Sequence, residues 1–316
     1  MKILISILAA GLLGAANAAA SDCPGFLPEN DMRIPVNSPQ SKGIGQAEFN
    51  KVLDTIQRIY GPVVQQRGGK LVIKRLWDNA TVNASAMQNG SNYILNMYGG
   101  LARHEAVTMD GFALVVCHEL GHHLGGAPKK EGYYGSDWAS IEGQADYYAG
   151  LKCLRQVFAD PASKDFARAG DDDAEAAKAC QAAFKSVDEQ GYCIRSTRAG
   201  KSVAKLFMAL HNEATAPRYD TPDTHVVTAM FTEHPATQCR LDTYLQGAIC
   251  RQPVSAALSD DDPAPGTCTR SGGFTTGFRP LCWYKPENSA ELMLPGEQAP
   301  SFRPGPAFET LQNGAW

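Results

Sequence analysis

The feature that most constrains this chain is His118-Glu119-Leu120-Gly121-His122, which follows directly on an apolar run. Two histidines four residues apart on a helix project from one face, one turn apart. Both imidazoles can then bind one tetrahedral metal ion, and Glu119 can accept a proton from a water molecule beside it. Burying these groups unpaired is costly, so the pattern favours one Zn²⁺ per chain over a coincidence on a surface helix.

The flanking residues predict that this motif lies on a helix. Asp110 is a candidate N-cap, residues 112–116 are apolar, and Gly125-Gly126 is a typical C-terminal stop. A second helix is predicted to begin at Ser136-Asp137 and to continue with helical apolar spacing to Phe158.

The second predicted helix offers the third ligand that a zinc hydrolase needs. Glu142 and Asp146 are also four residues apart and share a face. If this face meets the first helix, Glu142 completes the ligand set. Asp146 can then accept a hydrogen bond from the far nitrogen of a ligand histidine. The alternative is that both carboxylates are solvated on a helix flank.

Together, the two motifs resemble those of the gluzincin metallopeptidases, specifically the soluble exported relatives of the CAAX prenyl proteases. Residues 82–96 resemble the family's strand along the cleft edge, and residues 234–241 resemble its later His-Pro segment. The similarity covers residues 46–250. It implies an α+β, mostly helical zincin-like domain with a small β-sheet at the cleft edge. It also implies that His234 approaches the metal, as an oxyanion donor or as a blocking fourth ligand.

Other candidates near the site carry weaker signals. His234 has an alternative role at a helix start, with Pro235 as the first helical residue. His123 follows His122 directly, so it points off the ligand face and is expected to make a local hydrogen bond. His104 and His211 have no motif around them. The weaker candidates for an oxyanion donor are Tyr133, Tyr134, Tyr147, Tyr148 and His225.

The region before the zinc motif predicts a helix and two strands. A helix is expected from Gln46 to Tyr60, and strands are expected at 70–77 and 93–97, with a turn at Asn89-Gly90. An exposed sheet edge beside a metal cleft can pair with an extended peptide. An ordinary hairpin of the two strands is the alternative.

Export is predicted from the first 20 residues. Lys2 precedes an apolar run over 3–13, and cleavage after Ala18 or Ala20 fits a secretory signal. This run is too short to span a membrane, so we expect a soluble protein in the periplasm, with secretion as the alternative and no stable membrane insertion. A net charge of −4 and a pI near 6.0 make nucleic acid an unsuitable partner.

Nine cysteines in an exported chain indicate disulfides. Cys117, inside the apolar zinc helix, is expected to be the unpaired one. Eight cysteines allow 105 pairings, which the sequence leaves open. Three pairs are plausible because their cysteines are close in sequence: Cys180–Cys193, Cys239–Cys250 and Cys268–Cys282. These pairs leave Cys23 to join Cys153.

The predicted organisation is a signal peptide (1–20), a lead-in (21–45), a metallopeptidase domain (46–250) and a Pro/Gly-rich, disulfide-containing tail (251–316). Acidic residues 171–173 are interpreted as a helix start rather than a calcium loop.

The predicted function is a zinc endopeptidase acting on exported proteins or peptides, with Glu119 as general base. The alternatives are a latent or non-catalytic zinc-dependent binding or chaperone-like protein, a structural zinc domain, and another zinc hydrolase such as one for cell-wall peptides. The sequence predicts no oligomeric state.

Overall fold

The computed structural model describes residues 21–22, 25–131, 138–166 and 173–287. The protein is rich in helix and has one small mixed sheet, as the predicted α+β class requires. The strands are β1 (Ser21–Asp22), β2 (Lys70–Leu76), β3 (Ala84–Asn89) and β4 (Asn92–Tyr98). The helices are α1 (Gln46–Gln66), α2 (Gly99–Arg103), α3 (Met109–Leu124), α4 (Glu142–Tyr148), α5 (Leu154–Ala159), α6 (Ala174–Ala183), α7 (Val187–His211) and α8 (Thr237–Ile249).

Helix α3 lies at the centre of the protein, and all of its 16 residues are buried. A helix that is apolar around most of its surface has to be enclosed, and α1, α4 and α7 pack around it. Thr108 is the N-cap and accepts a hydrogen bond from Gly111 N. The prediction that Asp110 caps this helix is therefore wrong. Asp110 lies in the first turn, where Arg195 binds its carboxylate.

The sheet has the strand order β1-β3-β4-β2. β3 and β4 form an antiparallel hairpin, and Gly90 adopts the positive φ of 55° that its tight turn requires. β2 pairs with β4 in parallel, so the alternative of an ordinary hairpin between these two strands is wrong. A parallel pair needs a crossover connection, and the residues of β3 lie within that connection.

Two predicted helix boundaries shift. α1 starts at Gln46 as predicted but continues beyond Tyr60 to Gln66, through Pro62. Burial of Val64 keeps this last stretch against the core. Ser136-Asp137 lies outside the described residues, and α4 begins at Glu142 instead.

The connection from α4 to α5 is a π-helical turn, Ala149–Cys153. π-Turns inside helices are frequent at functional sites. α4 lies close to α3 at Gly121, where a Cβ atom would stand 2.9 Å from Ala145 O. Glycine within the His-Glu-x-x-His motif therefore permits the approach that brings α4 to the site.

Four disulfides join cysteines in the described part of the chain, and only one of them matches the predicted set. Cys180–Cys193 is confirmed. Cys117 is not unpaired but joins Cys153, because α3 packs directly on the π-helical turn. The predicted pairs Cys239–Cys250, Cys268–Cys282 and Cys23–Cys153 are wrong, since chain segments distant in sequence meet at α8. The remaining bonds are Cys239–Cys282 and Cys250–Cys268.

The region after α8 packs on the helical core. Trp283 is fully buried, and its indole nitrogen donates a hydrogen bond to Thr243 on α8. Within the described residues, no helix is long and apolar enough to cross a membrane. The four disulfides indicate an oxidising, exported environment.

Candidate metal centre

Three side chains from α3 and α4 converge in the interior. His118 Nε2 and His122 Nε2 lie 3.1 Å apart. Glu142 places Oε2 3.2 Å from His118 Nε2 and Oε1 3.8 Å from His122 Nε2. All three side chains are fully buried, and their ligand atoms lie within 4.8 Å of one another. This group could bind a metal ion, and it consists of the three residues predicted as ligands.

The second ring nitrogen of each histidine has an acceptor. His122 Nδ1 lies 2.8 Å from Ser140 O, and His118 Nδ1 lies 2.7 Å from Asp146 Oδ1. Carbonyl and carboxylate oxygens accept hydrogen bonds, so each Nδ1 carries a proton. In the neutral rings, both Nε2 atoms then present lone pairs to the same point. Two lone pairs and a carboxylate facing one point suit a cation.

Buried oxygens around this point also lack partners. Among the described residues, neither carboxylate oxygen of Glu119 makes a hydrogen bond, and Glu142 Oε2 makes none either. Leaving a buried polar atom unsatisfied costs about 1–3 kcal/mol, more for a charged group. Such a cost is typical of a site that binds a ligand.

Asp146 is fixed by Arg240, which the sequence did not single out as a site residue. Arg240 Nε and Nη2 each donate to Asp146 at 2.8 Å, one to each carboxylate oxygen. Both side chains are buried. The planar guanidinium holds the carboxylate in the orientation that receives His118 Nδ1. The sequence offered one signal, because Arg240 belongs to the segment 234–241 that resembles the family's His-Pro segment.

Lys130 is a second site residue that the sequence did not indicate. Its ammonium lies 2.9 Å from Glu142 Oε1. The other oxygen, Glu142 Oε2, faces the imidazoles. This is the arrangement expected of a carboxylate that binds a metal ion through one oxygen. No sequence pattern signals this contact, because Lys130 reaches the site only through the fold of the segment after α3.

The charged groups of the centre shift one another's pKa values. Burial opposes a charge on His118, but the carboxylates of Asp146 and Glu142 outweigh it and raise the pKa to about 9. Burial lowers the pKa of His122 to about 3. Burial also opposes ionisation of Glu142, yet the two histidines and Lys130 hold its pKa well below the usual range. An ionised Glu142 is therefore balanced by a proton on His118 Nε2, and a bound cation would take the place of that proton.

Glu119 differs from Glu142 in this respect. Burial raises the pKa of Glu119 to about 8, and the charge of Glu142 adds to that rise. A carboxylate with a pKa near neutrality can accept a proton and return it. Its position next to the ligand group gives it the environment of a general base.

His234 lies at the mouth of this group. Its Nε2 is 3.6 Å from Glu142 Oε2 and 2.7 Å from Gly25 O. Because a carbonyl only accepts, Nε2 carries a proton and is a donor rather than a ligand atom. α8 starts at Thr237, so Pro235 is not the first helical residue. His234 therefore presents a hydrogen-bond donor close to Glu142, and its role as an oxyanion donor or a fourth ligand stays a prediction.

The other candidates point elsewhere. His123 stacks between the rings of Tyr93 and Trp138 at 4.7 and 4.5 Å, off the ligand face as predicted. Tyr147 donates to Gly277 O, away from the ligands. Tyr148 lies beside Tyr60, and His225 is exposed. Tyr133 and Tyr134 lie outside the described residues.

Comparison with protein family models, curated proteins and solved structures finds no match to this chain. The functional argument therefore depends on the chemistry of the centre itself.

Proposed function

We propose that this protein is a zinc-dependent endopeptidase that hydrolyses peptide bonds of exported proteins in the periplasm. The observation that carries the proposal is the convergence of two imidazole lone pairs and one carboxylate beside an unpartnered buried glutamate. A structural zinc site is closed by four protein ligands and has no use for Glu119. The resemblance to zincin-like gluzincins is part of this proposal.

The spacing of the ligand atoms suits zinc. Zinc binds nitrogen and oxygen at about 2.0–2.1 Å, so adjacent ligands of a tetrahedron are roughly 3.3–3.4 Å apart. In this protein the Nε2 atoms of His118 and His122 lie 3.1 Å apart, and Glu142 Oε2 lies 3.2 Å from His118 Nε2. Three protein ligands leave the fourth position for water or substrate, as in zinc hydrolases.

His118, His122 and Glu142 would hold Zn²⁺, which when bound would lower the pKa of a water molecule and polarise the scissile carbonyl. Glu119 removes a proton from the attacking water and delivers it to the leaving amine. His234 Nε2–H donates to the oxygen on which negative charge develops. Asp146, held by Arg240, keeps His118 in the tautomer that binds metal.

A latent form of the enzyme is a second candidate, supported by one observation. The three ligands and Glu119 are fully buried. A protein substrate reaches them only after a covering segment moves. The non-catalytic zinc-binding or chaperone-like protein is the corresponding alternative without hydrolysis.

The test is the Glu119→Gln variant, incubated with unfolded exported proteins alongside the unchanged protein, with and without chelator. Cut sites are identified by mass spectrometry. We expect cleavage to fall by about 10²- to 10⁴-fold, because the base is lost, while bound zinc stays at one per chain. Equal turnover in the two proteins would refute the role of Glu119. Cleavage that survives metal removal would refute the zinc mechanism.

A further inference from the structure

The N-terminal segment of the described chain runs along the free edge of the sheet beside the metal centre. β1 pairs antiparallel with β3, with Ser21 opposite Gln88 and Asp22 opposite Met87. Further on, Phe26 N donates to Ala84 O at 2.9 Å. The described contacts therefore lie near the two ends of β3, with Ser21 and Asp22 near its last residues and Phe26 at its first. This is the backbone pairing by which an extended peptide adds to an exposed strand.

The same segment then enters the metal centre. Gly25 O accepts the hydrogen bond from His234 Nε2 at 2.7 Å, and that nitrogen is 3.6 Å from Glu142 Oε2. The ring of Phe26 lies edge-on to the ring of His118, with centroids 4.9 Å apart. The backbone carbonyl of Gly25 therefore accepts the hydrogen bond of His234 Nε2 that we assign to the carbonyl oxygen of a substrate.

Two residues after Gly25, the segment is anchored. Leu27 N donates to Asn83 Oδ1 at 2.9 Å, and Asn83 Nδ2 donates back to Leu27 O at 3.0 Å. Phe26 and Leu27 are fully buried. Position 25 has no room for a side chain, because a Cβ atom there would lie 2.6 Å from Asn83 Nδ2. The anchor fixes where the preceding residues meet β3.

We propose that Ser21, Asp22 and Gly25 act as an intramolecular pseudosubstrate. Ser21 and Asp22 occupy the peptide-binding edge of β3, and Gly25 O accepts the hydrogen bond of His234 Nε2. This inference rests on the proposed function, and it states how access of substrate to the site is regulated. A substrate would enter as an extended peptide, antiparallel to β3, after displacing these residues. Anchoring at residues 26 and 27 keeps the displaced segment attached, so the contact is reversible.

The competition favours the attached segment. A short tether gives an intramolecular ligand an effective concentration on the order of millimolar. A substrate at micromolar concentration then binds only to the fraction of molecules in which β3 is free, and its apparent Kd rises in inverse proportion to that fraction. If the edge is free in a tenth of the molecules or fewer, releasing the segment tightens substrate binding by about tenfold or more.

The test uses the Ser21→Pro/Asp22→Pro variant of the chain that begins at Ser21. Proline lacks the N–H that a strand pair requires, so the variant loses pairing with β3 but keeps its length. Hydrogen exchange of the Met87 and Gln88 amides reports whether the segment has left the edge. Binding of fluorescein-labelled casein, an unfolded protein, is measured with zinc present in a Glu119→Gln background, and cleavage is measured with Glu119 intact.

We expect faster exchange in β3, a Kd for casein lower by about tenfold or more, and faster cleavage. Gly25→Ala, which forces Asn83 away from Leu27, should act in the same direction. Gly191→Ala is the matched control, because a Cβ there meets nothing within 4 Å. Unchanged exchange, or faster exchange with an unchanged Kd, would overturn the pseudosubstrate. Tighter binding without cleavage in any protein would uphold it and reject the peptidase.

Discussion

Two clusters of potential metal ligands lie in the described part of the chain, and they differ in the state of their donor atoms. One cluster is His118, His122 and Glu142. The other is Asp223 with Cys239 and Cys282, whose ligand atoms are also within 4.8 Å of one another. Distance alone does not separate the two clusters.

The difference is chemical. In the first cluster, hydrogen bonds at Nδ1 direct both Nε2 atoms inwards, and Glu142 Oε2 has no hydrogen-bond partner. In the second cluster, the two sulfurs are joined in a disulfide and are not thiolates. Asp223 Oδ1 accepts a hydrogen bond from His225 N. Of the two clusters, only the first therefore has donor atoms that could bind a cation.

The largest effect on metal binding is expected from Glu142→Gln. The amide keeps an oxygen for Lys130 but removes the only charged ligand from a buried site. Substituting a residue that hydrogen-bonds a metal ligand lowers affinity roughly 10- to 100-fold. We expect the loss of zinc affinity in Glu142→Gln to be larger than that, because a ligand itself is changed. Zinc content after dialysis, measured by mass spectrometry, checks this.

Glu175→Gln, an exposed change on α6, is the matched control and should retain one zinc per chain. If the Glu142 variant keeps full zinc content, the carboxylate is not a ligand and the comparison of the two clusters fails.

A smaller loss is expected from Asp146→Asn. The amide oxygen can still face His118 Nδ1, but the negative charge that raises the basicity of the imidazole is gone. Zinc affinity should fall about 10- to 100-fold, measured by competition with a chelator. Asp110→Asn, on α3, also breaks a bidentate pair with an arginine, Arg195 on α7, but it touches no ligand. An equal loss of affinity in this control would assign the effect to general destabilisation.

The sequence predicted the ligand set because helical spacing is local. His118 and His122 share a face wherever the helix lies, and Glu142 with Asp146 repeats that spacing. The α+β class and the approximate positions of α1, β2 and β4 follow from similarly local periodicity. What the sequence could not supply is the approach of distant segments.

The disulfide error shows this limit. Cys117 was predicted to be a free core residue because its neighbours in sequence are apolar, yet its partner Cys153 is on a turn 36 residues away. Lys130, Arg240 and Gly25 reach the centre in the same non-local way. Their roles depend on how α8 and the two ends of the described chain pack, which no spacing rule encodes.

Loss of the Cys239–Cys282 disulfide should lower the free energy of unfolding but leave zinc affinity nearly unchanged. In the Cys239→Ser/Cys282→Ser variant, the lost crosslink encloses 43 residues, so we expect the free energy of unfolding to fall by roughly 2–5 kcal/mol. Zinc affinity should change by less than about threefold, because no ligand is altered. Denaturant unfolding measures the change in the free energy of unfolding, and zinc titration measures the change in affinity. A large loss of zinc in the folded variant would show that Cys239 positions Arg240, its neighbour in α8.

The smallest effect is expected from Asp223→Asn. The amide oxygen keeps the hydrogen bond from His225 N, and the oxidised sulfurs offer no thiolate for a cation. Zinc content under non-reducing conditions should stay at one per chain, and the free energy of unfolding should shift by no more than about 0.5 kcal/mol. If the unchanged protein binds two ions and this variant binds one, the disulfide does not close the second cluster. The distinction between the two clusters would then be wrong, because an oxidised cysteine pair would have contributed to a metal site.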